Sequence, residues 1–190
     1  EISGLGDSIF AITDGGLVRY NVADASLATY TRVDGLSSVD ATALFADPET
    51  RRVFIGFKDG MINYLDAEGQ LHYVTDIHRN DQYTTKGINH FYVNEGLLYV
   101  ATDFGVVVYD ILAKETRYAV TKVANNSTGI SVKAVTKADG RLWISMGTLG
   151  VWSVDFGASN LTLPWIWRQE SGQNGLPVGT NNYICANGDL

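Results

Sequence analysis

The sequence is short of the residues that build covalently linked, metal-bound or membrane-spanning structures. Its single cysteine, Cys185, excludes an intrachain disulfide and a cysteine-rich zinc site. The three histidines, His72, His78 and His90, stand at no metal-ligand spacing with one another or with Cys185. No apolar run approaches the ~18–20 residues that a membrane-spanning helix needs. Cations are outnumbered, with 14 Lys and Arg against 21 Asp and Glu, and the net charge of −7 argues against nucleic acid or an anionic membrane surface as a general partner. Prolines number only 3 against 20 glycines, and no helical period is sustained. What remains is the composition of a globular chain rich in tight turns, with 45% hydrophobic residues for a core.

A repeated hairpin fills that composition. Leu98–Val100 and Val106–Asp110 form two apolar strands about a turn at Gly105, with Val and Tyr suited to a pleated surface. The same pattern recurs at 9–20, 53–64 and 142–155. Its aromatic marker falls at Phe10, Phe54, Tyr99 and Trp143, spaced by 44, 45 and 44 residues. Its glycine falls at Gly16, Gly60, Gly105 and Gly150, spaced by 44, 45 and 45. Strand units at a fixed period of this size predict an all-β fold, a β-propeller of four-stranded antiparallel blades.

Each unit reads as strands a to d. Strand a is expected at 2–5, 41–46, 88–93 and 132–136, the marker hairpin supplies b and c, and a shorter, more polar d follows at 27–30, 71–75, 116–120 and 163–167. A polar d suits an edge, where unpaired backbone must not recruit further strands. The units run approximately 1–38, 39–87, 88–131 and 132–180, with 181–190 starting a fifth blade, so that 1–190 is one propeller domain or a fragment of one. Glu1 opens almost directly into strand sequence, which is expected of a trimmed chain or one whose leader has been removed. Four blades without closure would leave apolar blade faces bare, and self-association through those faces is the expected outcome.

No paired carboxylates, Cys–His pair or phosphate-cradling glycine loop emerges, so neither an enzyme nor a cofactor is expected, and Cys185 reads as a structural residue of an inner strand. Tyr20, Tyr64 and Tyr109 fall at one repeat position and are expected to pack between blades. Trp165 and Trp167 alternate onto one face of the fourth strand d and would form an exposed contact patch. The joins from d to a, at 31–39, 76–87, 121–131 and 168–180, share a rim with the glycine turns, where binding is expected. The most function-like of them is 78–86. It offers His78, Arg79, Gln82, Tyr83 and Lys86 as ligand-binding candidates able to hold phosphate, carboxylate or sugar hydroxyls.

The units resemble the propeller repeats of bacterial two-component regulators, in which an aromatic strand precedes a glycine turn and a Tyr-Asp ending. The link Asp34-Gly35-Leu36-Ser37-Ser38, echoed by Asn174-Gly175-Leu176-Pro177, matches that family's glycine-leucine connection. From Asp34 to Asp110, including Asp47-Pro48-Glu49-Thr50 and Thr102-Asp103-Phe104-Gly105, the chain resembles the first propeller of PorZ-type proteins of the type IX secretion system of Bacteroidetes. The resemblance implies about four of seven blades, in a parent with a second propeller and a C-terminal β-sandwich. It implies a non-enzymatic, exported protein, peripheral to the periplasm or the outer-membrane surface. Its partners would be other secretion-system surface proteins, including a sortase, and anionic lipopolysaccharide. The alternative is a periplasmic glycan-sensing propeller of a hybrid two-component regulator.

Overall fold

A computed structural model describes residues 1–124, 129–173, 175–181, 183 and 184. The described residues form sixteen strands in four sheets, each of four antiparallel strands in chain order, and the fold is an all-β propeller. Two compact units, 1–96 and 97–190, are taken in turn.

The first unit holds β1 (Ile2–Leu5), β2 (Ser8–Thr13), β3 (Gly16–Asn21) and β4 (Leu27–Tyr30), then β5 (Ala41–Asp47), β6 (Arg52–Phe57), β7 (Ile62–Leu65) and β8 (Leu71–Val74), and lastly β9 (Ile88–Asn94). Strand β5 lies against β1 on one side and β9 on the other. Side chains stitch these first strands together. The Leu44 and Ala46 N–H groups donate to Glu1 Oε2 (2.6 Å) and Ser3 Oγ (2.9 Å), and Thr42 Oγ1 donates to the Ile88 carbonyl (2.6 Å). Between the first two sheets a core forms from Phe10, Leu17, Leu36, Ile55 and Phe57 with their neighbours. The marker Phe54 sits on the other face of its sheet, 6.0 Å from Phe91 of β9. Strands β6 and β7 are therefore buried on both faces, which explains apolar residues at successive positions such as Val53–Ile55.

The second unit holds β10 (Leu97–Thr102), β11 (Gly105–Asp110), β12 (Glu115–Val120), β13 (Ala134–Ala138), β14 (Arg141–Ser145), β15 (Val151–Asp155) and β16 (Arg168–Gln169). Here the marker Tyr99 packs on Phe156 at 5.8 Å between ring centres. The last strands of the sheets are exposed or half-buried over most of their length, as expected of polar edges.

The hairpins differ from the sequence expectation in one respect with consequences. Thr13 pairs with Gly16 and Thr102 with Gly105, so these hairpins turn through two residues. Phe57 donates to the carbonyl of Met61, and Met146 to that of Gly150, so the other two turn through three. All four marker glycines have positive φ, but Gly16 and Gly105 open a strand, Gly60 lies within its loop and Gly150 closes one. One extra turn residue moves the following strand by one position and reverses its side chains. Tyr20 and Tyr109 accordingly pair with Ile9 and Leu98, whereas Tyr64 pairs with the marker Phe54 itself, 5.6 Å away. The three tyrosines are thus not one repeat position. Tyr64 and Tyr109 are buried, and Tyr20 is 40% exposed.

The fourth sheet brings a second correction. Residues 163–167 do not form a strand: Pro164–Ile166 is a 3₁₀ turn, and the edge strand is the short β16 that follows. Pro164 lacks the N–H that a ladder needs and its ring fixes φ for a turn start. The tryptophans therefore part company. Trp167 is 4% exposed with its Nε1 donating to the Leu161 carbonyl, while Trp165 is 74% exposed, and no two-tryptophan face exists. Cys185 and most of the segment 181–190, expected to begin a fifth blade, lie outside the described residues.

Candidate functional site

The rim loop of the first unit is built on a buried anchor. Ile77 is buried, and the backbone at Thr75 and Ile77 accepts hydrogen bonds from Arg79 and Asn80, which coils 75–80 into tight turns. Against this coil lies the turn Lys58-Asp59-Gly60. A Cβ on Gly60 would come within 2.9 Å of Ile77 Cγ2 and 3.0 Å of Lys86 Cβ, so a glycine is required for the close approach as well as for φ +87°.

The five candidates divide accordingly. His78 Nδ1 donates to the Asp59 carbonyl at 3.0 Å and lies 3.4 Å from the Asp59 carboxylate. Lys86 Nζ donates to the His78 carbonyl at 2.7 Å and lies 3.8 Å from Asp81. These two side chains are committed to holding the loop against the turn. Tyr83 is half-buried. Arg79 and Gln82 stand exposed, the Gln82 N–H occupied by Asn80 Oδ1 at 3.0 Å. The free chemistry of this rim is thus one guanidinium and one carboxamide on a rigid base. Among the described residues no group of three or more His, Cys, Asp or Glu side chains could hold a metal ion.

The glycine-leucine links are structural. In the first, Asp34 Oδ2 accepts from both the Thr31 N–H (2.9 Å) and Thr31 Oγ1 (2.8 Å), Gly35 takes φ +109°, and its carbonyl accepts from the Tyr73 hydroxyl (2.9 Å). Leu36 thereby plugs the core at 4% exposure. In the second link the Gly172 N–H donates to the Leu176 carbonyl at 2.9 Å, but Leu176 stays 37% exposed. Asn174 lies outside the described residues.

Two polar features were not singled out in the sequence. Glu170 is 3% exposed and accepts from Ser153 Oγ (2.6 Å) and Arg168 Nε (2.8 Å), with Arg141 at 3.9 Å. Burial pushes its carboxyl up, but these hydrogen bonds and the two guanidinium charges outweigh it and hold the pKa below the ordinary value. The other is a cleft of about 560 Å³ between the first two sheets, where Ser8, Arg19 and Tyr30 face Arg51, Val53 and Leu65. The signal for each was an arginine inside a strand, but only the tertiary structure brings the partners together.

Among the described residues, sixteen strands in four repeated sheets of four define a propeller module. The chain belongs to the family of N-terminal β-propeller domains of PorZ, of the type IX secretion system, which it matches over residues 9–168. Among solved structures it is similar to PorZ of Porphyromonas gingivalis, a bacterial surface component of that system, at 21% identity and a TM-score of 0.73. It is also similar to the extracellular domain of BT4673, a putative one component system of B. thetaiotaomicron, at 14% identity and a TM-score of 0.68. The chain is covered to 88% in both cases, and it spans only 22% and 21% of those two chains. At these identities the likeness shows the fold alone. A comparison with curated proteins finds no match. No helix of the described residues is long and apolar enough to cross a membrane.

Proposed function

We propose that the chain is a non-enzymatic binding and scaffolding module of an exported protein, peripheral to the periplasm or the outer-membrane surface. In this reading it acts with other surface proteins of a type IX secretion system, handles anionic lipopolysaccharide and supports the sortase that attaches cargo. One observation carries it: the family match across 9–168. The rim supports it, because loops braced by His78 and Lys86 present Arg79 and Gln82 without needing to fold on binding. We also take 1–190 as one propeller domain or part of one, with repeat units at 1–38, 39–87, 88–131 and 132–180 and a further blade from 181.

Deleting the parent gene is the test. Cargo proteins should leave the cell surface and collect in the medium; cargo attached as before would overturn the reading. A second reading, the periplasmic glycan-sensing propeller of a hybrid two-component regulator, draws on the likeness to the BT4673 extracellular domain. A transmembrane segment and histidine kinase encoded downstream would select it, and a second propeller with a C-terminal β-sandwich would select the first.

A further inference from the structure

Arg19 is an anomaly of the first unit. It lies on the face of β3 that carries Leu17, paired with the marker Phe10, in a row otherwise used for packing the second sheet. In the second sheet the residue opposite the marker is Tyr64, whose ring packs tilted against Phe54 and fills the space. Arg19 instead leaves a cleft of about 560 Å³, within the ~300–1,000 Å³ range of ligand sites.

The guanidinium is positioned rather than loose. Its Nε donates to the buried Ser8 Oγ at 3.0 Å, and its Cζ stands 6.0 Å from the centre of the Phe10 ring. That leaves the Nη groups available to a carboxylate on a residue that lines the cleft. Among the described residues no carboxylate lies within ion-pair distance of Arg19, nor of Arg51 on the facing wall, whereas Arg117, Arg141 and Arg168 each have one. The Asp24 carboxyl, held low mainly by Ser26, also feels the Arg19 charge, but neither guanidinium is held in an ion pair, and the two across one cleft can together hold an anion. Asp7 and Asp66 also line it, and Asp66 is occupied by His72 (2.6 Å) and by backbone N–H groups. The remaining lining offers groups for sugar hydroxyls, the Tyr30 hydroxyl and the Asn21 Nδ2, both on half-buried residues, while Val53 and Leu65 belong to the buried core.

We propose that this cleft binds a monocarboxylated sugar, a uronic acid unit, with Arg19 as the carboxylate clamp held by Ser8. The proposal deepens the binding role above and rests on it, but the cleft is a site separate from the 78–86 rim. The test is calorimetric titration of the 190-residue chain with tri-galacturonate, and with the neutral maltotriose for comparison. Saturable binding of the acidic sugar alone is expected. Arg19→Met keeps the stem packed on Phe10 and should weaken binding by at least about tenfold while the chain stays folded, with a small loss of stability from the freed Ser8 hydroxyl. Arg51→Gln, at an exposed position, serves if that variant does not fold, and should weaken binding by roughly threefold or more. Lys122→Ala, at an exposed position outside the cleft, should bind like the parent chain. Absence of saturable binding, equal binding of the neutral sugar, or undiminished affinity in the cleft variants would overturn the proposal. Failure of the secretion-system reading would appear elsewhere, as cargo still attached in the gene deletion while tri-galacturonate continues to bind.

Discussion

The carboxamide of Asn63 makes both of its hydrogen bonds to Ser37. Its Oδ1 accepts from the Ser37 N–H at 2.9 Å and its Nδ2 donates to Ser37 Oγ at 2.8 Å, and Asn63 is fully buried in β7. The link between the first two sheets is thus held by a polar side chain inside the core. Asn63→Ala strands the Ser37 N–H and hydroxyl and should cost about 2–3 kcal/mol; Ser37→Ala should cost about 1 kcal/mol. Urea denaturation of both variants and their double mutant is the measurement, and additive costs would show that the two residues are not coupled.

Adjacent glycines in one turn should behave oppositely. A Cβ on Gly16, at φ +135°, would run into the Tyr30 carbonyl oxygen, while one on Gly15 meets nothing. Gly16→Ala should therefore destabilise the chain by about 2 kcal/mol or more, and Gly15→Ala should stay within about 0.5 kcal/mol of the parent. Gly105→Ala should repeat the first result, since its Cβ would meet the Val120 carbonyl.

Acid should loosen the last sheet. The Glu170 carboxyl is held below its ordinary value of 4.5, so the folded state binds the proton less readily than the unfolded chain. Its contribution is present above that ordinary value and is lost as the pH falls through the lowered folded one. Stability measured by urea at stepped pH should drop below about pH 4.5, and Glu170→Gln should flatten part of that slope. An identical slope in the variant would mean that other carboxylates carry it.

The outer face of the first sheet is apolar and uncovered. Strand register aligns Ile9, Tyr20 and Leu27 in one row across β2, β3 and β4, and Ile2 lies on the same face; all four are exposed. Such a face favours association. At micromolar concentration the chain should scatter light as a dimer or larger species, and Ile9→Glu with Leu27→Glu should return it to monomer. A monomeric parent chain would refute this.

Sequence alone determined the repeat and hence the fold. Aromatic and glycine markers at 44–45 residues mark the same turn-and-strand requirement four times, and period-2 chemistry is local enough to be read without partners. It also placed the polar edge strands, except at Pro164, whose fixed φ was outvoted in the reading by the flanking apolar residues. What the sequence could not decide was register. A single additional turn residue in the second and fourth hairpins turns Tyr64 inward beside Phe54 and leaves Tyr20 on the opposite face of its sheet. For the same reason the site was only partly legible. The charged residues of 78–86 looked alike as letters, but packing against Asp59 and Gly60 committed His78 and Lys86 to the scaffold. Arg19 looked like an ordinary strand arginine until tertiary structure set it in a cleft between two sheets with no carboxylate at ion-pair distance among the described residues. Local propensity acts along the chain, whereas charge pairing and burial depend on neighbours some 30 or more residues away, as between Arg19 and the Arg51–Val53 wall.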